Sequence, residues 1–366
     1  MKRRGWCPTL FEPMDSGDGL LVRVKPPGGR LSPAQARTLA DAAAAHGNAA
    51  IDVTGRGNLQ LRGLTAETVP AFAAAMVDAG LACSDPGWER RRTVVLPPLA
   101  DPETAWIGGE LERLLADESL ASLPGKFGFA VAVPEVSADV RLHRDGAGWL
   151  LWPDGANRAA RSLDPAGDAL RLAHAFLTVA AGATRMRAAD AALVFAAAGL
   201  QPSASLPRSA PPQAIGRVPG GFGVGLPFGA TDARTFAALA EAGPLWVTPW
   251  RALVVEGAGS AERFAALGLI VDPADPRHAV AACPGRPACA SAMEDVRADA
   301  SRLASLFPGL ALHVSGCAKG CAHPAPAPVT LVACGDGYAL VRDGRAGDAP
   351  LRTGLTTEQA AAMIGA

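Results

Sequence analysis

Apolar positions recur along this chain in short blocks, each stopped by glycine or proline, and the spacing inside a block sets its element. Leu20, Leu21, Val22 and Val24 make residues 19–24 a strand that Pro26-Pro27-Gly28-Gly29 ends. Ser32-Pro33-Ala34-Gln35 then opens a helix toward His46, with serine as cap and proline at the first helical position, and Gly47-Asn48 closes it. Residues 51–53 and 59–61 are short strands about the polar turn Thr54-Gly55-Arg56-Gly57-Asn58. Residues 65–79 form a second helix behind an imperfect capping box, Thr65-Ala66-Glu67-Thr68.

The same order returns in the middle of the chain. Residues 221–226 are an apolar strand, Pro227-Phe228-Gly229 is the stop, 231–242 a helix, and 245–255 a strand region containing Thr248-Pro249-Trp250-Arg251. The match predicts a distant internal repeat. Between the copies, Arg90-Arg91-Arg92 leads into residues 93–96 and the stretch 123–133 leads into a strand. Residues 141–152 are a strand pair, 168–180 and 188–199 apolar helices, and 201–218, rich in proline and serine, a linker. Farther on, 330–333 and 338–341 form a hairpin about Gly335-Asp336-Gly337, and 356–364 is a closing helix.

With 366 residues, 49% of them apolar and 19% charged, the chain has enough material for two or three folded units with a sizeable core. A net charge of −1 gives no global pull toward nucleic acid or a membrane surface. The apolar stretches 175–183 and 191–200 are helix-sized at most, too short to span a bilayer. The amino terminus MKRRGWCP lacks the apolar core of a secretory signal. A cytoplasmic monomer is expected.

The chemistry concentrates in Cys283-Pro-Gly-Arg-Pro-Ala-Cys289 and, after a helical spacer, His313-Val-Ser-Gly-Cys317-Ala-Lys-Gly-Cys321. Four thiols in two pairs on glycine- and proline-rich turns suit a soft metal centre. A cubane iron–sulfur cluster, a structural zinc and unligated thiols all remain open. The spacing, five residues inside the first pair and three inside the second, suits the larger cluster better than zinc. Gly316 and Gly320 each precede a cysteine and leave backbone amides open to sulfur. Cys7, Cys83 and Cys334 read as free thiols in a reducing compartment.

Basic side chains fall at turns or strand ends: Arg23, Lys25, Arg56, Arg62, Arg92, Lys126 and Arg251. Converging on one cleft they would grip carboxylates; otherwise they are solvated surface charge. Arg56 stands out because Gly55 and Gly57 let a ligand approach. His313 and His323 bracket the second cysteine pair and, with His46, are candidates for a second iron or for proton supply. At a helix end, His46 is also a plain dipole partner. No G-x-G-x-x-G follows a strand, so no built-in dinucleotide fold is indicated.

Thr54-Gly-Arg56-Gly-Asn-Leu-Gln60, the two cysteine pairs and the duplicated block together resemble the nitrite and sulfite reductase fold family. More narrowly, Gly17-Asp-Gly-Leu-Leu-Val-Arg23, His46-Gly-Asn48, Leu123-Pro-Gly-Lys126-Phe-Gly128, Pro227-Phe-Gly229, Thr248-Pro-Trp-Arg251 and the second cysteine segment are similar to the precorrin-3B synthases of the aerobic cobalamin pathway. The resemblance implies an α+β fold: two ferredoxin-like half-modules related by pseudo-two-fold symmetry, plus α/β domains that carry an iron–sulfur cluster. The expected boundaries are 1–85 and 219–275 for the half-modules, 86–200 for a tetrapyrrole-binding α/β domain, 201–218 for the linker and 276–366 for the iron–sulfur domain.

The resemblance also implies a [4Fe-4S] cluster on Cys283, Cys289, Cys317 and Cys321. Arg23, Arg56, Arg92, Lys126 and Arg251 would hold tetrapyrrole carboxylates. The implied reaction is a monooxygenation: precorrin-3A is hydroxylated with O2 and NADH-derived electrons from a separate donor protein, a γ-lactone forms, and a mononuclear non-haem iron serves the oxygen step. The alternative is a siroheme-dependent sulfite or nitrite reductase. Gly128 argues against it, because the reductases carry a second basic or polar residue there. A zinc-stabilised tetrapyrrole carrier is a third reading.

Overall fold

In the first half, strand Gly19–Val24 pairs antiparallel with Leu59–Leu64, which in turn pairs with Ala50–Val53, while Met14–Ser16 flanks the sheet. These are coordinates of a computed structural model, which describes residues 8–146, 148–180, 182–208, 210, 212–257 and 259–365; Cys7 and the basic amino terminus lie outside them. Helix Pro33–His46 has a complete capping box, the Ser32 hydroxyl accepting from the Gln35 amide and the Gln35 side chain accepting from the Ser32 amide. It buries Ala36, Leu39, Ala40 and Ala43. The second helix, Val69–Asp78, begins later than expected. The Thr65 and Thr68 hydroxyls bond each other's amides in a separate turn, which delays the helix.

The repeat is present, and its two copies are interlocked. Gly221–Gly225 pairs with Ala252–Glu256, and that strand with Leu245–Val247. The expected helix from residue 231 starts at its Asp232 cap instead and spans Ala233–Ala240, because Ala230–Asp232 is a strand. That strand belongs to the other copy's sheet, where it pairs with Ala50–Val53; reciprocally, Arg30–Leu31 pairs with Leu245–Val247. The registers agree: Val22 and Val24 face Leu61 and Leu59, as Phe222 and Val224 face Val255 and Leu253. The stop turns agree too, with φ +60 and +74 at Gly28 and Gly29 against +58 and +74 at Phe228 and Gly229. Leu39, Phe72, Phe236 and Phe264 lie in one core shared by both copies.

The segment between the copies folds around a six-stranded sheet that runs in chain order from Val94–Val95 through Phe129–Val131, Val140–Asp145, Gly148–Pro153 and Arg158–Ser162 to Pro202–Ser205. Residues 201–218 are therefore not linker throughout. Pro202–Ser205 is the last strand of this sheet, and Gly216–Val218 is the outer strand of the second copy's sheet. Proline is tolerated there as the first residue of an edge strand. The connector shrinks to residues 206–215.

The carboxy-terminal domain has a five-stranded sheet: Val280–Ala282, Leu312–Ser315, Ala327–Cys334, Gly337–Gly344 and Arg352–Leu355. The first three strands are parallel, and helix Val296–Leu306 covers one face through Val296, Ala300 and Leu303. Among the described residues, no helix is long and apolar enough to cross a membrane.

Candidate functional site

Parallel strands present their carboxyl ends as ligand-binding edges. Both cysteine loops leave from such ends, Cys283 directly after Val280–Ala282 and Cys317 two residues after Leu312–Ser315. The Gly316 amide donates to Cys283 Sγ at 3.1 Å, so the turn before the second pair bonds a sulfur of the first. Met293 N to Gly316 O at 3.0 Å and Lys319 Nζ to Ser291 Oγ at 3.1 Å tie the loops further.

The first half-module closes over the other sulfur of this loop. Ala290 N donates to Gly17 O at 3.0 Å, and a Cβ at position 17 would lie 2.8 Å from Cys289 Sγ, so any larger residue there would displace the thiol. Burial pushes the Cys321 thiol up, and neighbouring Cys317, Cys283 and Cys289 push it the same way against Lys319. The four sulfurs thus share one neighbourhood. A bound metal reverses that balance and favours the thiolates. Among the described residues, no three His, Cys, Asp or Glu side chains focus on a point for a single metal ion.

Of the basic set, Arg56 and Lys126 come together: Arg56 Nη1 donates to Lys126 O at 2.8 Å, joining the first half-module to the middle domain. The loop carrying Arg56 abuts its repeat counterpart, with the Gly55 and Gly57 Cβ positions 3.9 Å from Pro249 O and 3.7 Å from Val247 O. Arg23 donates to Gln60 Oε1 from Nε and Nη2, both at 3.2 Å. Arg62 is ion-paired with Asp52 at 2.7 Å and Asp18 at 3.4 Å. Buried Lys25 donates to Glu89 O, Arg90 O and Thr93 Oγ1.

Arg92 is buried. Its side chain is only 4% exposed, and its guanidinium bonds Glu89, Glu112 and the Lys25 carbonyl. Its charge is committed to buried acids, and it lines a small cavity with Lys25 and Arg56. The signal for this was Glu89, one helical turn before it in the arginine run. Gly17 carried no comparable local signal.

His313 and His323 meet edge to face with ring centroids 5.7 Å apart. His46 ends helix Pro33–His46. No ligand set for a second iron is assigned and no step is routed through one. His313 is fully buried and neither ring nitrogen has a partner. Burial first, then His323 and Arg251, lower its pKa from 6.5 to about 4, so it holds no proton to supply at neutral pH. The unfolded chain takes up a proton below pH 6.5 that the folded imidazole refuses until about pH 4. Stability should fall as pH drops through that window, by about 3 kcal/mol in all, and His313→Leu should flatten the slope of the urea midpoint against pH.

A cavity of about 360 Å³, lined by Asn48, Thr231, Asp232, Thr235, Leu267 and Arg297 among others, opens where both copies meet helix Val296–Leu306. None of the expected site residues lines it.

Residues 12–79 match the nitrite/sulfite reductase ferredoxin-like half domain. The solved structure of the Mycobacterium tuberculosis NirA protein superposes with a TM-score of 0.66 at 22% identity, covering 94% of this chain and 79% of that one, which shows the fold. A ferredoxin–nitrite reductase of Leptolyngbya laminosa is 28% identical over 142 residues, 36% of this chain and 28% of its own. A precorrin-3B synthase of a Sinorhizobium species is 34% identical over 395 residues, 95% of this chain and 84% of its own. On a nitrite/sulfite reductase-like fold, and with a relative that similar along nearly its whole length, this chain belongs to the precorrin-3B synthase family.

Proposed function

We propose that this chain is a precorrin-3B synthase: it hydroxylates precorrin-3A with O2 and NADH-derived electrons and closes a γ-lactone, in cobalamin biosynthesis. The observation that carries the reading is the gathering of two chain-distant thiol pairs at the carboxyl ends of adjacent parallel strands, beneath the Gly17 turn. Cys283, Cys289, Cys317 and Cys321 would hold a [4Fe-4S] cluster, which supplies electrons singly from a separate donor protein.

This chain's own side chains do the holding. Arg56, tied to the Lys126 backbone, and Lys126 itself would take carboxylates of the macrocycle at one junction. Arg23, fixed on Gln60, is the third cation of that grip. Arg56→Ala should weaken binding of the polycarboxylate by about 1.5–3 kcal/mol with iron content unchanged. Unchanged affinity in a titration would return Arg56 to surface charge.

Anaerobic protein with its full iron and sulfide complement, given precorrin-3A, a reductant and then O2, should yield a product heavier by one oxygen atom. Unaltered substrate would overturn the reading. The likeness to ferredoxin–nitrite reductases, over 36% and 39% of this chain, favours siroheme-dependent nitrite or sulfite reduction as the second reading. Siroheme absorption in purified protein together with turnover of either anion would establish it instead.

A further inference from the structure

We propose that Asp18 is a positioning residue for the first cysteine loop: held by Arg62 and Asn48, it clamps the Gly17 turn onto Cys289 and keeps that ligand covered. The inference rests on the cluster reading above and deepens it.

Gly17 and Asp18 are the whole turn of the hairpin that Met14–Ser16 forms with Gly19–Val24, since Ser16 pairs with Gly19. Met14–Ser16 is an edge strand of three residues with one neighbour, so strand pairing alone holds this tip weakly. The tip is nevertheless pressed against the cysteine loop. A Cβ at position 17 would lie 2.8 Å from Cys289 Sγ, 3.0 Å from Ala290 N and 3.3 Å from Cys289 Cα, and Gly17 O accepts the Ala290 amide at 3.0 Å.

The Asp18 side chain supplies the hold. It is 7% exposed, and its two oxygens accept from three places: Oδ1 from the Ser16 hydroxyl and from Arg62 Nη1 at 3.4 Å, Oδ2 from Asn48 Nδ2 at 3.0 Å. The two distant partners are themselves fixed. Asn48 N donates to Arg62 O at 3.0 Å, and the chain at Gly63 packs so tightly on Asn48 that a Cβ there would lie 2.6 Å from Asn48 Cβ. Arg62 Nε holds Asp52 Oδ2 at 2.7 Å. Burial works to lower the Arg62 pKa, but Asp52 and Asp18 outweigh it and raise it. The charge of Arg62 is thus taken up inside the protein.

Asp52 in turn meets Arg297 Nη2 at 3.5 Å, from the first turn of helix Val296–Leu306. The line of charges Asp18, Arg62, Asp52 and Arg297 runs from the hairpin tip to the helix that begins where the first cysteine loop ends. The loop is therefore gripped at Ala290 and again just past its end. Buried ion pairs add little net stability, because desolvation offsets their attraction, so this one is read by what it fixes in place. What it fixes is the cover over a half-buried thiol. The contacts around a metal-ligand sulfur and its exposure to water set both the hold on the metal and the potential of a cluster.

The test compares anaerobically purified, cluster-loaded variants by two readouts: the rate at which bathophenanthroline disulfonate strips their iron, and the midpoint potential of the cluster. Asp18→Ala should purify with full iron and sulfide but lose iron about tenfold or more faster than wild type. Its potential should rise, because added water and the loss of a nearby anion both favour the more negative, reduced cluster. Asp18→Asn keeps an acceptor for Asn48 without the charge and should fall between. Gly17→Ala should speed the loss as well, and its effect should not multiply with that of Asp18→Ala, because both free one cover. Asp154→Ala breaks the Arg141–Asp154 pair, of similar burial in the middle domain, and should leave both readouts at wild type. A wild-type rate and potential in Asp18→Ala, or equal acceleration in Asp154→Ala, would overturn the clamp while the function above stands. Wild-type protein that carries neither iron nor sulfide would bring down both readings.

Discussion

Serine at Cys289 or Cys317 should leave a folded chain that has lost its inorganic sulfide and most of its iron, with oxygenation of precorrin-3A reduced by more than about a hundredfold. Changes to residues that merely support metal ligands cost roughly 10–100-fold in affinity or activity, so loss of a ligand should exceed that range. Folding should survive, because the domain's core is built from Val280, Val296, Leu303, Val314 and Leu331, with only Cys283 of the four thiols contributing to it. The thiols are held by loops, and the loops by backbone bonds such as Met293 N to Gly316 O. Iron and acid-labile sulfide measured on anaerobic preparations decide the matter. Undiminished iron and sulfide in both variants would remove Cys289 and Cys317 from the ligand set, and stoichiometric zinc in wild type would replace the cluster altogether.

Arg92→Ala should cost about 3–5 kcal/mol of stability, read as a lowered urea midpoint, because it strips the countercharge from buried acids. Glu89 is 0% exposed and Arg92 4%, with Nη2 and Oε2 2.9 Å apart. Glu112, also on the guanidinium at 3.5 Å, already has its pKa raised by burial. Removing the arginine leaves two carboxylates facing each other with little water. The double change Arg92→Met with Glu89→Leu should recover much of the loss, since an apolar pair of similar volume carries no unmet charge. A stable Arg92→Ala protein with weakened tetrapyrrole affinity would instead return Arg92 to the ligand grip.

What could be read from the sequence was local. The Ser32 cap and the Gly335-Asp336-Gly337 hairpin depend on residues a few positions apart, and each stands in the structure where the pattern puts it. Arg30–Leu31 and Ala230–Asp232 could not be read so, being two and three residues long and pairing with strands in the opposite half of the chain. The contact of Gly17 with Cys289 is long-range in the same sense. The burial of Arg92 could not be read so either, because a run of arginines resembles a wet surface, while the acids that hold it come partly from helix Pro102–Leu114.

The reciprocal loan of Arg30–Leu31 and Ala230–Asp232 governs how this protein can breathe. Parting the two halves would tear a strand from each sheet and split the core they hold in common. Admission of a broad, flat guest therefore has to come from tilting of the flanking domains about a stiff central pair, with the Gly17 turn and the Arg56–Lys126 contact as the latches that yield.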